Sequence, residues 1–237
     1  MNINKLSKRL ETVVKYIPEG SRIADIGSDH AYLPCYVVKN GQVPFAIAGE
    51  VVEGPFQSAK SQVQSEGLTD RVEVRKGDGL EVISPGEVDC VTIAGMGGAL
   101  IASILDKGVD KLQGIKRLVL QPNISAVSIR VWLLKQGWEL IEEEILEEDG
   151  KIYEILVAEE GDPLKPYEKA NLPSFLLLGP FLAKQKSTTF IKKWQGEAEN
   201  WRRILGNLEK AADTPENIEK KKELENKIQM VEEVMGR

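Results

Sequence analysis

At 237 residues, with 42 % hydrophobic and 29 % charged side chains, the chain has globular composition and room for one large domain or a domain with an appendage. No run approaches the ~18 consecutive apolar residues of a membrane helix, the N-terminus MNINKLSKRLETVVKYI lacks a signal peptide's apolar core, and Cys35 and Cys90 have no CxxC spacing and no partnering histidines, so no membrane span and no zinc or other metal site are expected, and a cytoplasmic location with reduced thiols is. The net charge of −6 speaks against a general nucleic-acid binder, yet it divides into −8 over residues 1–160 and +2 over 161–237, and residues 182–210 carry seven basic side chains against three acidic ones.

Residues 4–17 read as an amphipathic helix with Leu6, Leu10, Val13 and Ile17 on one face and Pro18 as its stop. Strands and helices then alternate. The strands are expected at 22–26, 45–48, 72–75, 88–93 and 117–120, and the helices between and after them at 32–39, 55–66, 100–105 and 125–136. Two strand-like runs, 138–146 and 152–158, flank Asp149-Gly150, a strong hairpin signal. The expected fold is therefore α/β: a Rossmann-like, mostly parallel sheet ending in an antiparallel pair. Residues 160–174 hold three prolines and read as a linker. Beyond them Ile191, Trp194, Ala198, Trp201, Leu205, Leu208 and Ala212 step by three and four, a coiled-coil seam. Thr214-Pro215-Glu216 opens a second helix with Ile218, Leu224, Ile228, Val231 and Met235 on one side. The expected division is a catalytic domain over 1–160 and a helical hairpin over 161–237.

In a doubly wound sheet, ligands bind at the carboxyl ends of the strands. The first strand ends in ADIGSDHAYLP, with Asp25, Gly27, Asp29 and His30, the chain's single histidine. Glu50-Val51 ends the second, placed for ribose hydroxyls; Asp78-Gly79 ends the third, placed for an adenine amine; Gly95, Met96 and Gly97 end the fourth as a wall with little side chain. Taken singly, each is an ordinary turn or solvated strand end, but together they read as a nucleoside-cofactor site. A dinucleotide needs GxGxxG to seat its pyrophosphate. Here those positions are Gly27, Asp29 and Tyr32, and Asp29 would repel the phosphates. An acidic loop suits the cationic ammonium and sulfonium of S-adenosylmethionine.

DIGSDHAYLP, GDGLEVI, AGMGG and LQPN together resemble the bacterial tRNA (adenine-22-N1)-methyltransferase family, and the resemblance spans essentially the whole chain. It implies a class I methyltransferase domain, a C-terminal coiled coil, S-adenosylmethionine as cofactor and methylation of N1 of a tRNA adenosine. Neutral adenine already offers its N1 lone pair, so the chemistry requires positioning and stabilisation of a cationic product ring. Asp29 and Asn123 are the catalytic candidates, with Asp25, Gly27, His30, Glu50, Val51, Asp78, Gly79, Gly95, Met96 and Gly97 assigned to the cofactor. His30 has two further readings, orienting Asp29 or capping the helix after it. Lys184, Lys186, Lys192, Lys193, Arg202 and Arg203 are the candidate RNA contacts, against the plainer reading of a solvated helix face. A monomer is the expected state. A methyltransferase acting on a small molecule or protein, and a non-catalytic RNA-binding protein with this fold, remain as alternatives.

Overall fold

The computed structural model describes residues 5–210, 212 and 214–236. It divides into two compact units, the first running to Lys165 and the second starting at Pro166.

The first unit is built on one seven-stranded sheet. Its strands are β1 (Arg22–Ile26), β2 (Phe45–Glu50), β3 (Val72–Lys76), β4 (Cys90–Gly97), β5 (Arg117–Ile124), β6 (Trp138–Glu148) and β7 (Lys151–Glu160), in the order β3-β2-β1-β4-β5-β7-β6. The pairs among β1 to β5 are parallel, and β7 runs antiparallel to both β5 and β6. Chain order reverses direction beside β1, between β2 and β4, which opens the crevice where ligands of such sheets sit. Ile23–Ile26 of β1, Ala46–Glu50 of β2 and the first four residues of β4 are buried, as parallel strands covered by helices on both faces must be.

The helices packed on this sheet are α1 (Lys8–Lys15), α2 (Tyr32–Lys39), α3 (Glu53–Ser65), α4 (Gly98–Lys107) and α5 (Ala126–Gln136). The first expected helix, 4–17, is shorter at both ends: Ser7 caps it by accepting the Leu10 amide at 3.3 Å, and Asn4 lies outside the described residues. The strands β4 and β5 end four residues later than expected. Gly95, Met96 and Gly97 do not close β4 as a turn but continue the strand, because β5 runs on beside them: Met96 pairs with Pro122 and Gly97 with Ile124, the register slipping at Gly95 on β4 and at Asn123 on β5. Both strands thus run past the end of β1 and form one wall of the crevice. Gly98 lets this wall close over α4: a Cβ there would meet the Ser125 carbonyl oxygen at 2.1 Å.

In the second unit the expected linker is partly helical. Pro173 opens α6 (Leu172–Leu178), Gly179 at φ 90° breaks it, and Pro180 opens α7 (Pro180–Gln185). Two long helices follow, α8 (Thr188–Leu208), capped by Ser187, and α9 (Pro215–Met235), capped by Thr214. Only six residues separate these 21-residue helices, too few to span the ~31 Å back to the start of α8, so they pack antiparallel, with Trp201 meeting Lys227 and Arg202 meeting Glu232. Phe190, Trp194 and Ala198 are buried from α8 and Leu224, Ile228 and Val231 from α9. The expected seam is corrected at its ends: Ala212 lies beyond α8 and is exposed, and Ile218 is 53 % exposed, because α8 stops at Leu208 and offers nothing opposite them.

Candidate active site

Asp25 is the fourth residue of β1 and pairs with Thr92 in β4. That register puts the Thr92 hydroxyl 2.6 Å from one carboxylate oxygen; Ser28, in the turn beyond, donates to the other at 2.6 Å. The turn is tight. Gly27, Asp29 and Ala31 all hold positive φ, 70°, 54° and 53°, and the Gly27 and Ser28 amides bond back to the Gly49 carbonyl at 2.9 and 3.2 Å. A side chain at Gly27 would be strained by φ and would meet the Met96 methyl, so Gly27 leaves the floor of a cavity open. Glu50, buried at the end of β2, accepts the Asp29 amide and so fixes the left-handed Asp29.

The cavity above this turn has a volume of about 280 Å³ and is lined by Arg9, Asp25, Gly27, Asp29, Gly95 and Met96, among others. Arg9 was not singled out for this site in the sequence. It comes from α1, whose N-terminus is anchored by Glu148 accepting the Lys8 and Arg9 amides at 2.6 and 3.2 Å. Its guanidinium donates to Gln121, lies 5.4 Å from the Tyr153 ring centroid and helps hold Asp25 ionised. Gln121 in turn accepts the Gly95 amide at 2.9 Å, and Asn123 donates its amide to the Gly95 carbonyl at 2.7 Å. Both polar groups of Gly95 are thereby tied to β5. The only sequence sign of Arg9 and Gln121 was their residue type, since their meeting depends on where α1 crosses the sheet.

The expected site residues do not all share this cavity. Asp78 and Gly79 line a second one of about 240 Å³, where the exposed Asp78 carboxylate sits 3.9 Å from Lys107. Glu50, Val51, His30, Gly97 and Asn123 line neither cavity. His30 does not cap α2, since Ala31 occupies the cap position without a side-chain bond; its imidazole stacks on Tyr32 at 5.2 Å and approaches the Asp29 carboxylate at 3.7 Å. No cluster able to hold a metal is present among the described residues.

Burial pushes the Asp25 carboxyl above the usual carboxylate range, opposed by the hydroxyls of Ser28 and Thr92 and by Arg9. Burial raises Glu50 likewise, against its bond from the Asp29 amide. A raised carboxyl keeps its proton to higher pH in the folded chain than in the unfolded one. Stability then falls as pH rises from the unfolded value, ~3.9 for Asp, to the folded one. Asp25→Asn should therefore melt above the parent near neutral pH, with the gap closing as pH falls toward ~4. Calorimetric melts across that range test this; a gap independent of pH would refute it.

A sheet of this order, with an antiparallel β7 inserted beside β5 and an acidic, glycine-floored crevice at the ends of β1 and β2, defines a class I methyltransferase. The family model for tRNA (adenine(22)-N(1))-methyltransferase matches residues 23–233, and the chain belongs to that family. It is 57 % identical to the tRNA (adenine(22)-N(1))-methyltransferase of Bacillus subtilis, over 99 % of each chain. The crystal structure of the B. subtilis tRNA methyltransferase TrmK superposes with a TM-score of 0.94 at 56 % identity, covering 97 % of this chain and 98 % of that one. A Streptococcus pneumoniae structure solved in complex with S-adenosyl-L-methionine gives 0.85 at 44 % identity, covering 97 % and 99 %.

Proposed function

We propose that the chain transfers the methyl group of S-adenosylmethionine to N1 of adenosine 22 in tRNA. The observation that carries this reading is the charge layout of the cavity: Arg9 on one side, Asp25 and Asp29 on the other, above a glycine floor. A zwitterionic amino-acid end fits those charges, with Arg9 toward its carboxylate and the acids toward its ammonium. A pyrophosphate does not fit, because Asp29 presents a carboxylate after Gly27 and the Gly27, Ser28 and Asp29 amides are already bonded to Gly49 and Glu50. Glu50, at the end of β2, is placed for ribose hydroxyls. Asp78, whose exposed carboxylate lies 3.9 Å from Lys107, keeps acceptor positions for an adenine amine. When bound, S-adenosylmethionine supplies the sulfonium methyl; the chain's own part is to orient and to stabilise.

Asp29 and Asn123 are the groups we assign to the reacting base. Asp29 is 68 % exposed at the cavity and locked in place by Glu50 through its backbone. Asn123 spends its amide donor on Gly95, and its carbonyl oxygen, which accepts a long 3.4 Å bond from Gln121, keeps a second lone pair to accept from the exocyclic amine of adenine as the ring gains positive charge. Asp29→Asn and Asn123→Ala should each slow single-turnover methylation of tRNA by about ten- to a thousandfold while changing the dissociation constants of tRNA and S-adenosylmethionine far less. Rates near the parent's for both variants would remove these residues from the chemistry. The tRNA contacts are assigned to the basic side chains of the second unit, and a cytoplasmic enzyme accords with a tRNA substrate.

A further inference from the structure

We infer that Ile124 and Leu100 form an apolar seat for the adenine ring that is methylated, an inference that rests on the tRNA reading above. Ile124 closes β5 and is 72 % exposed; Leu100, in the first turn of α4, is 54 % exposed. Single exposed apolar residues are ordinary. These two belong to something larger. From Ala94 to Leu105 and from Leu118 to Ile129 the chain holds no Asp, Glu, Lys or Arg, although 29 % of all its residues are charged. The fold brings these two neutral segments side by side. Gly97 pairs with Ile124, and a Cβ on Gly97 would lie 3.9 Å from the Ile124 side chain. Gly95, Asn123, Ile124 and Ser125 are exposed along this seam, and Ala99 and Leu100 are exposed in the first turn of α4, whose Gly98 abuts the Ile124 and Ser125 carbonyls.

The seam continues directly from the cavity, since Gly95 and Met96 line it and Asn123 is bonded to Gly95. Arg9, the cation nearest Gly95, is engaged with Gln121. A phosphate path would need free basic groups, and these two segments offer none. A flat, neutral ring is the part of a nucleotide that such a surface accepts. Adenine N1 lies on the pairing edge, so the base must be unpaired and extruded to react. With Asn123 directly before Ile124, one segment would offer a polar acceptor to the ring edge and an apolar surface to its face. Ser125, held at φ 59° just after, turns the chain so that Ile124 stays at the rim.

The test compares the parent, Ile124→Asp, Leu100→Asp and Ile124→Leu on two tRNA transcripts, one intact and one with an abasic site in place of the target adenosine. The parent should bind the intact transcript about tenfold tighter than the abasic one, and both Asp variants should lose that preference. Both should also methylate the intact transcript about ten- to a hundredfold more slowly, with melting temperature and S-adenosylmethionine affinity unchanged and Ile124→Leu close to the parent. Asp variants that keep the preference and the parent's rate would overturn the seat. A parent that methylates no tRNA would instead overturn the functional reading, so the two failures are distinguishable.

Discussion

Replacing Arg130 with methionine should destabilise the first unit by about 3–5 kcal/mol, the usual cost of removing one partner from a buried ion pair. Arg130 is fully buried in α5, between Glu143 of β6 and Glu154 of β7, which are 2 % exposed each. Its guanidinium lies 2.6 Å from Glu143 and 2.5 Å from Glu154. Without it, two carboxylates would share a dry pocket with no cation between them. The triple change Arg130→Met, Glu143→Gln and Glu154→Gln should recover much of the loss, because it removes the buried charge along with its partner. Urea denaturation midpoints of the parent, the single and the triple variant decide this, and a single variant as stable as the parent would sink it. The consequence reaches the site: α5 begins two residues after Ile124, so loosening its anchor would loosen the end of β5 that carries Asn123.

Reversing Lys184, Lys192 and Arg203 to Glu should lower tRNA affinity by about tenfold or more at physiological salt and flatten its salt dependence. Each lost phosphate contact removes about 0.7–0.9 from the slope of log affinity against log salt. The expectation rests on the charge division, −8 before residue 161 and +2 after it, with the basic run concentrated between 182 and 210. Lys184, Lys192 and Arg203 are all exposed, opposite the apolar stripe of Phe190, Trp194 and Ala198 in the case of α8. Arg202 is left unchanged because it holds Glu232 of α9 at 2.6 Å, and reversing it would set two acids against each other between the helices. S-adenosylmethionine affinity should not move. The deciding measurement is tRNA binding at several salt concentrations; an unaltered slope would place the RNA elsewhere and leave these side chains as a solvated face.

The alternation of strands and helices, the Asp149-Gly150 hairpin and the cap at Thr214 were legible in the sequence because they are local. Hydrophobic period, turn chemistry and capping act within a few residues, so a linear reading carries them. Asp25, Gly27 and Asp29 were legible for the same reason, since they share one turn. What lay beyond reach depends on which segments meet. The lengths of β4 and β5 follow from each other: Gly95 to Gly97 look like a turn until Pro122 and Ile124 pair beside them. Arg9 enters the cavity only because α1 is pinned by Glu148, a residue 139 positions away. Asp78 sits at a strand end as the alternation implies, yet its side chain turns to Lys107, a choice made by α4 and not by GDGL. Arg130, on a helix of low amphipathic contrast, gave no sign that it would be buried, because burial of a charge depends on two acids delivered by other strands. The sequence by itself thus determined the class of fold and the acidic turn, both set by short-range chemistry. Only the tertiary structure decided which charges face one another, because that is fixed by the crossing of elements far apart in the chain.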